Sequence, residues 1–216
     1  MRTVPFQGRR HFLGALASAV PAAATTAVQA KQPEDDGGQI PVGPEERSLG
    51  PADAPATIIE YASLTCPHCA SFHSETWPEI REGYVESGMA RFVLRDFPLD
   101  RLALAAAMLA RCVSESRYFM FIDLLLSRQT EWAKAEDPLA ALTELAGMVG
   151  LNKEAGSSCL EDEALAKRVL STRREGKERF QISSTPTFLI YTRRKITGNQ
   201  ALEAFAEILD PVADKA

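Results

Sequence analysis

Residues 57–69 read Thr57-Ile58-Ile59-Glu60-Tyr61-Ala62-Ser63-Leu64-Thr65-Cys66-Pro67-His68-Cys69. Bounded upstream by Gly50-Pro51 and Pro55, Ala56–Ala62 is a short, mostly apolar run and reads as a buried strand. The run ends just before two thiols spaced two residues apart, at the point where a strand feeds a helix, so the pair can close a small disulfide and open it again. In the second half of the chain, Thr185-Pro186 precedes another apolar strand, Thr187-Phe188-Leu189-Ile190. A Cys-x-x-Cys after a first strand and an X-Pro before a late one form two halves of a redox site. Together they are far more specific than either alone.

Outward from this stretch, the helix that begins at the Cys-x-x-Cys carries Cys69, Phe72, Thr76/Trp77, Ile80 and Tyr84 on one stripe, with Pro78 expected to kink it. Met89–Phe97 alternates through Arg91-Phe92-Val93-Leu94-Arg95 and reads as a second main strand, so the β-α-β order predicts a parallel pair. From Pro98 to about Phe180 the pattern is helical: Leu99–Val113, Arg117–Arg128, Leu139–Val149 capped at Asp137-Pro138, a short helix from Asn152 to near Leu160, and a long charged one over Glu161–Arg179. Strand Thr187–Tyr191 then resumes the sheet. Arg193-Arg194 marks a hairpin turn, Lys195-Ile196-Thr197 an edge strand, and Gly198-Asn199 leads into a closing helix, Gln200–Leu209. The expected class is α/β, with 47–97 and 182–216 forming a sheet domain and 98–181 an inserted all-helical domain.

The amino terminus has a different composition. Residues 1–30 hold Arg2, Arg9 and Arg10, no acid, an Ala-rich stretch from Phe12 to Val28, and an A-x-A-like site at Val28-Gln29-Ala30. They read as a signal peptide cut after Ala30. Gly8-Arg9-Arg10-His11-Phe12-Leu13 resembles a twin-arginine export signal, and a general secretory signal is the alternative. Both lead out of the cytoplasm. Residues 31–46, with Pro33-Glu34-Asp35-Asp36-Gly37-Gly38, read as a flexible lead-in. Elsewhere no apolar run is long enough to span a membrane. Cleavage takes the chain from 24 basic against 29 acidic residues to 21 against 29, a net charge of −8. That balance lacks the basic footprint nucleic-acid binding needs. Only His68 and His73 remain as histidines, too few for a His-rich metal site. Four cysteines in an exported chain imply disulfides. The spacing favours Cys66 with Cys69, and Cys112 with Cys159.

The two thiols of the pair are not equivalent. Cys66 at a helix amino terminus meets free backbone N–H groups and the positive end of the dipole, both of which lower its pKa. The His68 imidazole can hydrogen-bond to the thiolate and, when protonated, adds charge stabilisation. A more stable thiolate makes the disulfide easier to reduce, so the protein tends to donate it. Cys69, one turn on and on the buried face, is the resolving thiol. A zinc site would need a second close pair, whereas Cys112 and Cys159 lie singly, so no metal is expected. Pro186 alone reads as an ordinary trans turn, the usual state of an X-Pro before a strand. Beside a redox pair, a cis-proline packed against it is favoured, with the Thr185 main chain taking an incoming peptide as an added strand. Glu60 lies six residues before Cys66. Exposure at a strand end is one reading, and the other buries it beneath Cys69 with a raised pKa, relaying that thiol's proton. His73, Trp77 and Trp132 read as structural.

Cys66-Pro67-His68-Cys69, Glu60 six residues earlier, the helical insertion and Thr185-Pro186 together resemble the DsbA family of bacterial thiol:disulfide oxidoreductases, over about residues 45–214. The resemblance implies a thioredoxin fold with an inserted all-helical domain, and a Cys66–Cys69 disulfide donated to reduced, unfolded exported proteins in the periplasm. It also implies re-oxidation by a quinone-linked membrane partner similar to DsbB, and no cofactor. The Cys112/Cys159 pair is similar to a subgroup whose helical domain carries its own structural disulfide. Thr185 stands where the founding member has valine, as it does in disulfide isomerases, which leaves oxidation and isomerisation both open. Residues 31–46 are too short and polar for the dimerisation segment of such an isomerase, so a monomer is expected. The rival readings are an isomerase or reductase kept reduced by a membrane electron donor, and a non-catalytic chaperone-like module with a static disulfide.

Overall fold

In the computed structural model, which describes residues 40–190 and 194–213, the chain runs through β1 (Ser48–Leu49), β2 (Ala56–Ala62), α1 (Pro67–Glu75), α2 (Trp77–Ile80) and β3 (Ala90–Asp96). Six α-helices follow: α3 (Arg101–Cys112), α4 (Tyr118–Ser127), α5 (Gln129–Ala133), α6 (Pro138–Met148), α7 (Lys153–Glu161) and α8 (Glu163–Phe180). Then come β4 (Thr187–Ile190), β5 (Arg194–Thr197) and α9 (Leu202–Ala213).

The strands form one sheet in the order β1-β3-β2-β4-β5. β2 lies parallel to β3, with Ala56 opposite Ala90 and Ala62 opposite Asp96, as the crossover through α1 requires. β4 runs antiparallel to β2, placing Phe188 opposite Glu60. β2 is covered on both faces and buried at all seven positions, which is why it reads as a continuous apolar run. Its alternation divides two cores. Ile58 and Ala62 join Phe72, Trp77, Phe92, Phe188 and Phe205 on one face, while Ile59 and Tyr61 join Val93, Phe97, Phe180 and Leu189 on the other. Glu60 shares the Ile58/Ala62 side, the side α1 covers.

The helical segment begins its helices on side chains the sequence displays. Asp100, Asp137, Asn152 and Asp162 accept from the backbone N–H three residues on, at 2.7–3.1 Å, each cap worth about 1 kcal/mol. Its apolar faces are continuous with the sheet's core: Leu109, Phe121, Ile122 and Leu142 belong to the same cluster as Ile58 and Phe92. Cys112 and Cys159 are bonded to each other, tying the end of α3 to α7 with their Cα atoms 6.3 Å apart.

Four local expectations change. The helix carrying the Cys-x-x-Cys does not run on through Pro78. It stops at Glu75, and Trp77-Pro78 start a new turn that widens into a π-helical turn over Arg81–Val85. Proline fits the first turn of a helix and cannot donate inside one, so the chain restarts there. The predicted stripe is nonetheless buried throughout. The lead-in expected over 31–46 is packed at its end: Ile40 enters the second core, and Glu46 and the Pro41 carbonyl both accept from the Arg95 guanidinium. α9 continues past Leu209 to Ala213, with Pro211 inside it. Arg194 lies in β5, opposite Ile190, so it belongs to the strand and not to the turn. Tyr191 and Arg193, expected at the end of β4 and in that turn, lie outside the described residues, as does the signal peptide.

Candidate active site

β2 ends at Ala62, and Ser63-Leu64-Thr65 carry the chain to Cys66, which is extended (φ −81°, ψ 118°) and caps α1. Pro67 takes the first turn, where its missing N–H leaves no bond unmade. The Cys66 carbonyl accepts from the N–H groups of Cys69 and Ala70, at 3.1 and 3.2 Å. Its sulfur sits at the amino end of the helix, where the N–H groups of Cys69 and His68 stabilise negative charge. The inserted helices hold this corner from behind. Gln129 Nε2 on α5 donates to the carbonyls of Leu64 (2.8 Å) and Cys66 (3.0 Å). Thr65 Oγ1 donates to Asp100 Oδ2 at 2.7 Å, the same carboxylate that caps α3.

On the opposite side, the Thr185-Pro186 peptide bond is cis. The Cys66 thiol donates to the Thr185 carbonyl at 3.2 Å. That loop is pinned by Thr187 Oγ1 donating to Ser184 O (2.7 Å) and by Gly198 N–H donating to Pro186 O (2.8 Å). The Thr185 hydroxyl is buried without a hydrogen-bond partner.

Cys66 and Cys69 are both free thiols here, and their surroundings push their acidities apart. A hydrogen bond from Cys69 outweighs burial and, with the Thr185 side chain and the two backbone N–H groups, brings Cys66 down to about 5. Burial drives Cys69 well above the ordinary thiol value, and the hydrogen bond to Cys66 and the charge of Glu60 push it further. The pair can therefore hold one stable thiolate, at Cys66, and one stable thiol, at Cys69. The His68 ring is exposed, and His68 reaches the sulfur through its backbone N–H.

Glu60 is fully buried and not at an exposed strand end. One of its oxygens, Oε2, lies 2.9 Å from His73 Nε2. The other ring nitrogen of His73 faces Asp123 of α4 at 3.5 Å. Burial opposes charge on this imidazole, but Glu60 and Asp123 outweigh it and lift the ring to about 9. Sequence reasoning thus brought Cys66, Cys69, His68, Glu60, Thr185 and Pro186 to one place. It gave His73 no role and did not single out Gln129, Asp100 or Asp123. His73, a histidine one turn beyond Cys69 on the buried stripe, carried a readable signal. Gln129, a lone polar residue after the apolar run of α4, carried a weaker one.

A family model described as thioredoxin matches residues 43–211. Among solved structures, alpha-DsbA1 of Wolbachia pipientis superposes with a TM-score of 0.75 at 29% identity, over 81% of this chain and 94% of that one. A Rickettsia bellii relative provisionally named protein-disulfide oxidoreductase is 27% identical over 169 residues, 78% of this chain and 64% of its own length. Disulfide bond formation protein D of Bacillus subtilis is 26% identical over 71% of this chain and 70% of its own. This chain thus spans somewhat under two thirds of the Rickettsia relative. With the sheet order, the helical insertion and the Cys-x-x-Cys beside a cis-proline all in place, the chain belongs to the thioredoxin family, as a DsbA-like member.

Proposed function

We propose that the chain is an exported thiol:disulfide oxidoreductase that donates its Cys66–Cys69 disulfide to reduced, unfolded exported proteins in the periplasm. The observation that carries this reading is the split between the two thiols. A substrate thiolate attacks Cys66 Sγ, the bond to Cys69 breaks, and Cys69 leaves with the electron pair and takes a proton. A second substrate thiolate then attacks the substrate sulfur of the mixed disulfide, and Cys66 leaves as a stable thiolate. The substrate has lost two electrons and the Cys66/Cys69 pair has gained them. A leaving thiol with a low pKa favours this direction. Each tenfold gain in thiolate stability is about 1.4 kcal/mol, or roughly 30 mV for a two-electron couple, so the lowered Cys66 thiol moves the potential in the oxidising direction.

The other site residues take supporting roles. The Thr185 and Pro186 loop receives the substrate peptide as an added strand. His68, when protonated, adds charge beside the thiolate. Glu60 accepts and returns the Cys69 proton. Cys112–Cys159 is structural. Re-oxidation falls to a quinone-linked membrane partner similar to DsbB, and no cofactor takes part. Among the described residues no helix is long and apolar enough to cross a membrane.

Equilibration of the Cys66/Cys69 pair against glutathione, alongside oxidative refolding of a reduced protein and an insulin-reduction assay, tests the reading. The expected result is a potential well above that of thioredoxin and rapid oxidation of the reduced substrate. A strongly reducing potential with efficient insulin reduction would establish a reductase or isomerase instead, and inertness in every assay a chaperone-like module.

A further inference from the structure

Glu60 and His73 form a buried pair in which the bond between them leaves one atom idle on each side. Glu60 Oε1 and His73 Nδ1 are both buried without a hydrogen bond, while Oε2 and Nε2 face each other at 2.9 Å. These two atoms are the pair's remaining hydrogen-bonding positions. The Glu60 charge is felt at Cys69. His73 Nδ1 faces Asp123 Oδ1 at 3.5 Å. The Asp123 side chain is 38% exposed and, with His73, lines an open groove of about 590 Å³ walled by Trp77, Arg81, Met120 and Met148. The His73 side chain itself is only 4% exposed, so the imidazole stands between Glu60 and the groove.

We propose that His73, reaching solvent past Asp123, takes up a proton at Nδ1 when Glu60 Oε1 gives its own to Cys69 and releases it when that proton returns, so that the buried Glu60 charge is balanced each time the Cys66–Cys69 disulfide opens or closes. The proposal rests on the reading of Glu60 as the group that exchanges the Cys69 proton. On opening, the S–S bond breaks under attack by a substrate thiolate, its electron pair stays on Cys69, and the Cys69 thiolate takes the proton held at Glu60 Oε1. The new carboxylate charge draws one proton from solvent, past Asp123, onto His73 Nδ1. The Nε2–H···Oε2 bond stays in place throughout. On closure, Cys69 returns its proton to Oε1, Nδ1 releases one to solvent, and two electrons leave to the disulfide of the membrane oxidase. One cycle takes one proton in and one out, so every group ends in its starting state without a ring flip.

The charged and titratable groups around the pair are few. From α1 come Cys66 and Cys69, and from α4 Asp123 and the buried Tyr118 hydroxyl, which feels the Glu60 charge. Arg81, in the π-helical turn, reaches Asp123 Oδ2 at 3.7 Å. Asp96, Arg111 and Arg47 act on Tyr118 one step away. Of these, Asp123 is the group the structure places on Nδ1.

The decisive measurement needs no variant. Imidazole NMR titration of the whole protein should find His73 protonating near 9 in the dithiol form, and lower by more than about one pH unit in the disulfide form, where Glu60 has been neutralised. An identical midpoint in both forms overturns the proposal, because a purely structural ion pair has no reason to follow the redox state. Stopped-flow opening of the disulfide by a small thiol then separates the two layers of the argument. Asp123→Asn and His73→Gln should each slow the step by about tenfold or more, within reach of the roughly 10²–10⁴-fold that a positioned proton donor supplies. If Glu60→Gln slows it and neither of the other two does, the balancing role of His73 is refuted and Glu60 keeps its role. If Glu60→Gln has no effect, both fall.

Discussion

The acidity of Cys66 depends most on a partner three residues away, which makes it testable by changing that partner alone. Cys69 is the largest influence lowering the Cys66 thiol, ahead of the opposing effect of burial. Cys69→Ser keeps a donor in the same position and should leave the Cys66 titration, read by thiolate absorbance, close to 5. Cys69→Ala removes the donor and should raise it by more than about one unit, leaving the backbone N–H groups and Thr185 to do the rest. Equal midpoints in the two variants would move the stabilisation elsewhere. His73 gives a second test with the opposite sign. Its folded pKa of about 9 lies above the unfolded value near 6.5, so its contribution to stability is complete below about pH 6.5 and is lost as pH rises through 9. In the dithiol protein the Cys66 thiol, brought down from 9.0 to about 5, gains stability with rising pH across the same window and offsets this loss, so His73→Gln should turn a nearly level stability profile, read from denaturant midpoints, into one that rises by up to about 3 kcal/mol. A profile unchanged in the variant would assign the offset to another group.

The elements show where sequence suffices and where it stops. β2 and β4 were legible because burial on both faces leaves a run of apolar residues, β3 because it alternates, and two helix starts because Asp137 and Asn152 stand where caps are needed, whereas the caps Asp100 and Asp162 were passed over. β1 was not, since two residues carry no period, and its pairing with Phe92 and Val93 is set by the partner strand. The break between α1 and α2 was half legible: Pro78 announced a disturbance but not a restart with a π-helical turn after it. α8 carries a constraint that the sequence hides. Its Gly176 lies mid-helix, and a Cβ there would stand 2.7 Å from the Tyr61 ring, with Phe97 behind it. This close approach sets α8 against β2, so Gly176→Ala should destabilise by about 1–3 kcal/mol through overpacking, despite alanine's better helix propensity. A chemical melt of that single variant decides it, and a gain in stability would mean that α8 slides to make room.

At the scale of the molecule, the inserted helices do two separable things. One is to support the redox corner from behind, through Gln129 on the Cys66 carbonyl and Asp100 on Thr65. The other is to hold themselves together, and there the Cys112–Cys159 bond closes a loop of 47 residues between α3 and α7. Cross-linking a loop of that length removes freedom mainly from the unfolded chain, worth about 4 kcal/mol. None of the contacts that lower Cys66 passes through either of these cysteines. Replacing both with alanine should therefore cost stability, up to about 4 kcal/mol in a denaturant series, while the Cys66 titration and its equilibrium with glutathione stay where they were. Gln129→Ala should show the reverse balance. It removes one donor shared by two buried carbonyls, a loss of about 1–3 kcal/mol, and it loosens the turn that aims the Cys66 sulfur, so its effect on disulfide exchange should exceed that of the double cysteine variant. Were the double variant to shift the Cys66 midpoint as well, the helical disulfide would be part of the redox site's frame, and the division between the two tasks would be wrong.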